Sequence, residues 1–530
     1  MIHRLAVLAL LWLLLASAPA AAPAYGGKTK KAAPGDALFA TNAPILDFHI
    51  TISGLELAAL KKDDRSYVRG DLTAGGRVWR DVAFRVKGNG SRRPLHEKPS
   101  FVANFGHYVP DQEFFGLTKL ALNNSSQDGT YLADYMANAM FADANVPVSR
   151  VTHARLRLND RDLGLYVLVE SQNKDFLKRW FRNTDGNLYE AYVADIDTQM
   201  DQDGGDGRGQ KDRQALAEVV KLPDANERWA KLPQVLDVDR YVSHLVCEIF
   251  TSHTDGYAMN RNNYRIYHDP DSGRFTFFGH GVDWAFANTG VNMHPPRGSL
   301  VTKAVLESPA GSVLFRERRL TLFTNVFQLE VLTNRVHGQV ARMLTVARNT
   351  AETNDFRRCG NEMNSRLVQR WQFLTNQLFG PPPVVLAFNP EGVASLTGWR
   401  KKTDENAAPA VHQQGLDGER RVLRIAATNG PTIASWRTRV QLPVGKYIFE
   451  GLVRGEGIVG RTNETGMGAG LRISGSKREN KLQGSAGWTP LSFSLTNQVE
   501  DSVEFVCELR ATRGEVWFDE GSLRLVRRKD

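Results

Sequence analysis

The stretch HTDGYAMNRNNYRIYHDPDSGRFTFFGHGVDWAF, His253 to Phe286, decides how the chain is read. It sets Asp255 five residues before Asn260 and continues into an alternating segment from Asn263 to Tyr267. It then turns at Asp269-Pro270-Asp271-Ser272-Gly273 and returns through an apolar run from Phe275 to Phe278. Alternation, a turn rich in Asp, Pro and Gly, and a second apolar run predict a β-hairpin. The hairpin carries Asp255 and Asn260 at its entrance and Asp283 just past its exit, so three oxygen-bearing side chains can converge on one spot. Hard divalent cations take such ligands.

Phosphoryl transfer from ATP is mostly positioning and charge neutralisation, and its parts are few: a carboxylate orients the attacking hydroxyl, while an amide oxygen and a second carboxylate hold magnesium. Protein kinases place these in an H-R-D-x-x-x-x-N loop followed by D-F-G. His253-Thr254-Asp255 with Asn260 has the first spacing, and Asp283-Trp284-Ala285 stands where the second acid belongs. The pattern predicts Asp255 as catalytic base and Asn260 and Asp283 as metal ligands. A polar loop capping a helix also accounts for Asp and Asn at such places. Paired carboxylates at 255 and 283 would serve a glycosidase as well.

Upstream, the turn Gly88-Asn89-Gly90-Ser91, with Lys87 before it and Lys98 after, can present backbone N–H groups and a cation to phosphates. Glycine and asparagine also make ordinary hairpin turns. Phe84 to Ser91, Lys98-Pro99-Ser100-Phe101, Leu120-Ala121-Leu122-Asn123-Asn124, Leu158-Asn159 and Gly164 to Glu170, followed by the opening stretch, together resemble the spore coat protein H (CotH) kinase family over roughly residues 45 to 300. The resemblance implies an atypical, secreted or surface-bound kinase that uses ATP with Mg2+ or Mn2+ and phosphorylates serine in proteins. It implies Lys98 as the phosphate lysine, Lys87 as the second candidate, and Glu170 as the acid that orients it. Where the family reads W-D-x-D, this chain reads His280-Gly281-Val282-Asp283, so the first acid is missing. A non-catalytic member is the alternative expectation.

The chain opens with a short basic segment (His3, Arg4), an apolar run from Leu5 to Ala16 and small residues up to Ala22, which reads as a secretory signal over 1–22. The apolar run falls short of the roughly 20 residues a membrane span needs, and no later stretch reaches that length. The expected location is therefore outside the cytoplasm, secreted or in the cell envelope. With 530 residues, 42% hydrophobic and 24% charged, the chain is long enough for two or more domains. The net charge of +9 is dispersed among acids, without the concentrated basic footprint of a nucleic-acid binder. Three cysteines, Cys247, Cys359 and Cys507, exclude a disulfide scaffold and a Cys-based zinc site; a bridge between Cys247 and Cys359 is expected.

Residues 23–40, rich in Ala, Gly, Lys and Pro, read as a mobile leader, and 41–380 as the kinase-like domain. Within it, helices are predicted over Asp128 to Asn145, Asp237 to Thr251, about Ser312 to Glu352 and Asp355 to Phe379. Strands are predicted over Thr152 to Leu158 and Leu163 to Glu170. The acidic loop with Asp201, Asp203 and Asp206 can wrap Ca2+, although the EF-hand pattern wants glycine where Asp206 stands. The Met293 to Gly298 loop is expected to border the cleft. Pro381–Pro383 forms a stiff linker. Beyond it, 384–530 reads as short strands at hairpin spacing, an antiparallel sandwich whose ending Val516 to Leu525 resembles the last strand of jelly-roll carbohydrate-binding modules. Trp399, Trp436 and Trp488 are candidates for sugar contact, with core packing as the other reading of each.

The expected fold is α+β: a kinase-like domain with a mixed β lobe and a helical lobe, then an all-β jelly-roll sandwich. The expected function is an exported kinase acting on Ser or Thr of envelope or extracellular proteins. The alternative is a non-catalytic surface protein that binds polysaccharide through the sandwich.

Overall fold

The computed structural model describes residues 33–206, 209–293, 298–379, 384–404, 407–427, 430–460, 467–474, 476, 478, 480–497 and 501–528. The expected signal at 1–22, the leader as far as residue 32, the centre of the 293–298 loop and the 381–383 linker lie outside them. The chain divides into two compact units between Leu378 and Phe379. Among the described residues no helix is long and apolar enough to cross a membrane.

The first unit begins with a closed barrel. Its strands are β1 (Leu46–Thr51), β2 (Val68–Ala74), β3 (Arg77–Lys87), β4 (Ser100–Asn104), β5 (Lys119–Asn123), β6 (Val151–Leu158) and β7 (Arg161–Glu170), in the order β1-β2-β3-β4-β5-β7-β6. The parallel pairing of β1 with β6, Phe48 opposite Leu156, closes it. Closure leaves no sheet edge to pair with other chains. Phe48, Ile50, Phe84, Val86, Phe101, Leu120, Leu122, Leu156, Tyr166 and Leu168 fill the interior. Because side chains alternate along a strand, burying Phe84 and Val86 turns Lys87 outward, and burying Leu120 and Leu122 does the same for Asn123. Part of the expected mobile leader is packed instead: Leu38 is buried, the Gly35 N–H donates to the Phe115 carbonyl at 2.7 Å, and Asp36 pairs with Arg150 at 2.7 Å.

Four further strands, β8 (Asn187–Ala191), β9 (Asp201–Gly204), β10 (Tyr264–Asp269) and β11 (Arg274–Gly279), form a sheet in the order β11-β10-β8-β9. β10 and β11 make the predicted hairpin, with Tyr264 opposite Gly279 and Asp269 opposite Arg274. The expected calcium loop is corrected here. Residues 201–204 are extended as β9, and Asp203 pairs with Arg265 at 2.8 Å. An extended strand spreads its carboxylates at steps of about 3.3 Å instead of folding them round an ion.

Besides a single turn at Asp36–Phe39, the helices among the described residues are α1 (Gly54–Lys62), α2 (Ala133–Asp143), α3 (Lys174–Trp180), α4 (Lys211–Val220), α5 (Ala225–Val235), α6 (Val238–Phe250), α7 (Tyr257–Asn260), α8 (Leu300–Leu306), α9 (Pro309–Asn325), α10 (Leu329–Leu344) and α11 (Thr350–Phe379). The stretch expected to be helical from Ser312 to Glu352 is broken at 326–328 and again at 345–349. α6 is buried along its length and shares a core with α2 and the second sheet through Tyr241, Leu245, Ile249, Met136, Met140 and Phe277. The expected disulfide is absent. All three cysteines are free and buried, Cys359 with its thiol 3.3 Å from the Gly129 carbonyl and Cys247 within α6.

The second unit contains two sheets around one core. One sheet runs β12-β17-β21-β19, from Val384–Val385, Thr432–Leu442, Asp501–Ala511 and Gly468–Ile473. The other runs β13-β23-β18-β22-β16-β15, from Val393–Ser395, Arg524–Arg527, Gly445–Val459, Arg513–Asp519, Arg420–Ala427 and Ala410–Asp417. β14 (Arg400–Thr403) adds to β17, and β20 (Gly484–Asn497) adds to β18. Trp436, Val440, Phe505 and Leu509 of the first sheet meet Leu423, Phe449, Phe518 and Leu525 of the second. Trp399 and Trp436 are core, their indole N–H groups donating to the Leu396 and Arg424 carbonyls, each at 3.1 Å. Trp488 is half-buried beneath Arg420 and Arg454, and Trp517 beneath Arg424 and Arg454.

Candidate active site

Two buried groups fix the loop after α6. Glu248 accepts the N–H groups of Tyr257 at 2.7 Å and Ala258 at 2.9 Å, and so caps α7. Its burial pushes the carboxyl up to about 8. Arg370, from α11, is fully buried and donates to the carbonyls of Ile249, Phe250, Thr289 and Val291, tying the end of α6 to the segment beyond Asp283. A helix end leaves carbonyls without intrahelical partners, and a guanidinium with five donors in a fork can satisfy several together.

Asp255 lies in the loop so held, ringed by amides. Asn260 Nδ2 donates to Oδ1, and Asn262 and Asn263 donate to Oδ2 at 3.0 and 2.8 Å. An ionised carboxylate only accepts. Asn260 therefore turns its nitrogen to Asp255 and keeps its carbonyl oxygen for another partner, the orientation a cation ligand requires.

The second half of the site gathers around Lys87. Leaving the barrel wall, its ammonium donates to Asn123 Oδ1 at 2.6 Å. Burial draws Lys87 below the usual lysine range, while the charges of Asp134, Asp283 and Glu190 pull it back up. Asp134, in the first turn of α2, is pushed up to about 7 by burial and then by the charge of Asp283. Burial also raises Asp283, against the attraction of Lys87. Burial would raise Glu190 too, but the hydrogen bond from His280 and the Arg265 guanidinium override it and hold the carboxyl far below its usual range.

The two halves meet at Gly281. Its φ is +55°, and a β-carbon there would stand 2.6 Å from Asn263 Oδ1 and Cγ. Asn263, which holds Asp255, fills the space a side chain at 281 would need. The Phe286 N–H, further along, donates to the Thr251 carbonyl, docking the segment after Asp283 on the end of α6.

Two expected members lie elsewhere. Lys98 donates to the Tyr131 hydroxyl at 3.0 Å and the Leu165 carbonyl at 2.8 Å, over the Tyr131 and Tyr166 rings. Burial, with Arg155 nearby, draws it down to about 8. Glu170 pairs with Arg150 and Arg179, each at 2.6 Å, and not with Lys98. Two guanidiniums satisfy a fully buried carboxylate better than one ammonium committed to a tyrosine and a carbonyl. The turn after β3 is pinned by its acceptors: the Gly88 carbonyl and Asn89 Oδ1 take Arg65, and the Ser91 carbonyl takes Asn124.

The sequence reading missed Asp134, Glu190, Asn262 and Asn263. Asp134 and Asn138 recur at helical spacing on the buried face of α2, a polar interruption that would have singled them out. Among the described residues no three His, Cys, Asp or Glu side chains gather as a ready-made metal site. Magnesium on a nucleotide is usually held by one or two protein oxygens besides phosphates and water. Asp283 and the outward carbonyl of Asn260 fit that donor set, and crowded buried carboxyls beside one lysine favour the arrival of positive charge.

A model of the family described as CotH kinase protein matches residues 84–378, more than half of the chain. The inner spore coat protein H of Bacillus subtilis (strain 168) is 22% identical over an alignment of 235 residues; the match covers 41% of this chain and 60% of that relative. Among solved structures, the Helicobacter pylori proinflammatory kinase CtkA is similar over 55% of this chain and 94% of its own, with 7% identity and a TM-score of 0.26. A family 35 carbohydrate binding module from Clostridium thermocellum is similar over 24% of this chain and 98% of its own, with 14% identity and a TM-score of 0.16. On the family match over 84–378, the chain belongs to the CotH kinase family.

Proposed function

We propose that this chain is an exported atypical protein kinase that transfers the γ-phosphoryl group of ATP to a serine or threonine hydroxyl of an envelope or extracellular protein. The observations that carry the reading are the placement of Lys87 among the charges of Asp134, Asp283 and Glu190, with Asn123 Oδ1 on its ammonium, and an Asp255–Asn260 pair oriented by hydrogen bonds. In this reading Lys87 takes the phosphate contact first assigned to Lys98. Asn260 and Asp283 would hold Mg2+ or Mn2+, which supplies charge neutralisation on the phosphates. Asp134 keeps the lysine oriented, the part first given to Glu170. Asp255 orients the acceptor hydroxyl and receives its proton as the oxygen–phosphorus bond forms and the bond to the ADP leaving group breaks. Export rests on the N-terminal signal read from the sequence.

Incubating the protein with labelled ATP and Mg2+ or Mn2+ tests this. Label transfer that is lost in Asp255→Ala and in Asp283→Ala supports the kinase; transfer that persists in both contradicts it. The second reading, a non-catalytic protein that binds polysaccharide, is favoured by the missing acid at Gly281 and by half-buried Trp488 and Trp517 on the second unit. Polysaccharide pull-down by the full chain, lost on Trp488→Ala with Trp517→Ala, would support it.

A further inference from the structure

Between β8 and Asp195 the chain makes a corner at Tyr192 and Val193, which are 67% and 49% exposed. Its backbone is fastened on both sides. The Val193 N–H donates to Asn262 Oδ1 at 3.2 Å, the Ala194 N–H to the Arg261 carbonyl at 3.0 Å, and the Tyr264 hydroxyl to the Ala194 carbonyl at 2.9 Å. Asp195 accepts from the Tyr257 hydroxyl at 2.7 Å and the Leu300 N–H at 2.9 Å. Val193 has φ +47°, a left-handed conformation that a β-branched residue adopts only under compulsion. Such strain persists where the surroundings over-determine it, and it concentrates at sites that bind or react.

Asn262 joins this corner to the chemistry, because the same side-chain amide accepts from Val193 and donates to Asp255. One amide group thus separates an anchored, outward-facing apolar pair from the proposed base. A polypeptide advances at most about 3.3–3.6 Å per residue. One whose hydroxyl reaches Asp255 can therefore set a residue a few positions away on the corner. An ordered surface that holds apolar side chains in water is already organised for a partner and loses little entropy when one arrives.

On the kinase reading above, we propose that Tyr192 and Val193 seat an apolar side chain of the acceptor polypeptide close to its phosphorylated serine or threonine, and that Asn262 is the positioning residue linking that seat to Asp255. The test uses the full chain with a serine-centred peptide library, one flanking position fixed at a time. Wild type should prefer an apolar residue at one flanking position. Tyr192→Ala and Val193→Gly should each raise the acceptor KM roughly tenfold, with KM for ATP unchanged. Glycine accepts the positive φ, so Val193→Gly should melt no lower than wild type, which separates loss of recognition from loss of fold. Asn262→Ala should lower kcat more than it raises the acceptor KM. Transfer by wild type with no apolar preference, or with acceptor KM unchanged in both seat variants, overturns the seat and leaves the kinase standing. No transfer by wild type to any peptide overturns both.

Discussion

Gly281 and Asn263 compete for one small volume, and the asparagine holds it. With φ at +55° and Asn263 2.6 Å from the place of a β-carbon, Gly281→Ala meets both backbone strain and a clash. The expected cost is roughly 1–3 kcal/mol, read as a lower Tm, together with a weakened Asp255 ring and slower transfer. Asp134 gives a prediction in pH. Its folded value of about 7 lies above the roughly 3.9 of an unfolded aspartate, so the folded state binds the extra proton between them. That contribution is fully present below about pH 4 and is lost as pH rises through 7. Asp134→Asn should flatten this part of the Tm profile, and Mn2+ should stabilise wild type more at about pH 8 than at about pH 5.5, since cation and proton compete. A profile unchanged by Asp134→Asn contradicts the assignment. At this scale Asp255 and Asn260 were legible because their spacing is local. The surroundings of Lys87 and Lys98 are not local: Lys87 ends β3 with its ammonium on Asn123, whereas Lys98 stands in the loop before β4 with its ammonium on Tyr131 and the Leu165 carbonyl.

Arg370 sets the geometry of the element that delivers the loop. Among the described residues it has four carbonyl partners and no carboxylate, and burial draws it down to about 9. Arg370→Met removes the donors and should destabilise the protein by on the order of 3 kcal/mol or more, measured by thermal unfolding. Arg370→Lys should recover little, since an ammonium cannot fork to two loops. Full stability in either variant would show that the α6 end is held by something else. The hairpin of β10 and β11 was readable from alternation around an Asp-Pro-Asp-Ser-Gly turn, and α6 from its apolar period. Barrel closure was not, because the pairing of Leu46–Ile50 with Ala154–Leu158 joins stretches more than a hundred residues apart through backbone groups that carry no sequence signature.

Each of the two units has its own core, so calorimetry of the full chain should show two transitions. Mg-ATP should move one of them, by the linkage that stabilises whatever binds it, and leave the other in place. A single transition, or a shift of both, contradicts energetic independence. The change of texture after residue 383 made the second unit legible as short strands; Trp399 and Trp436 take the core reading offered for them, while Trp488, and Trp517 which was not singled out, lie outside the core cluster. The claim on which the kinase reading turns is that Lys87, and not Lys98, meets the phosphates. The most direct measurement is the affinity for Mg-ATP by titration calorimetry of wild type, Lys87→Ala and Lys98→Ala. Wild type should bind, Lys87→Ala should lose affinity tenfold or more, and Lys98→Ala should change little. Equal affinities for wild type and Lys87→Ala, or a loss confined to Lys98→Ala, would contradict that claim.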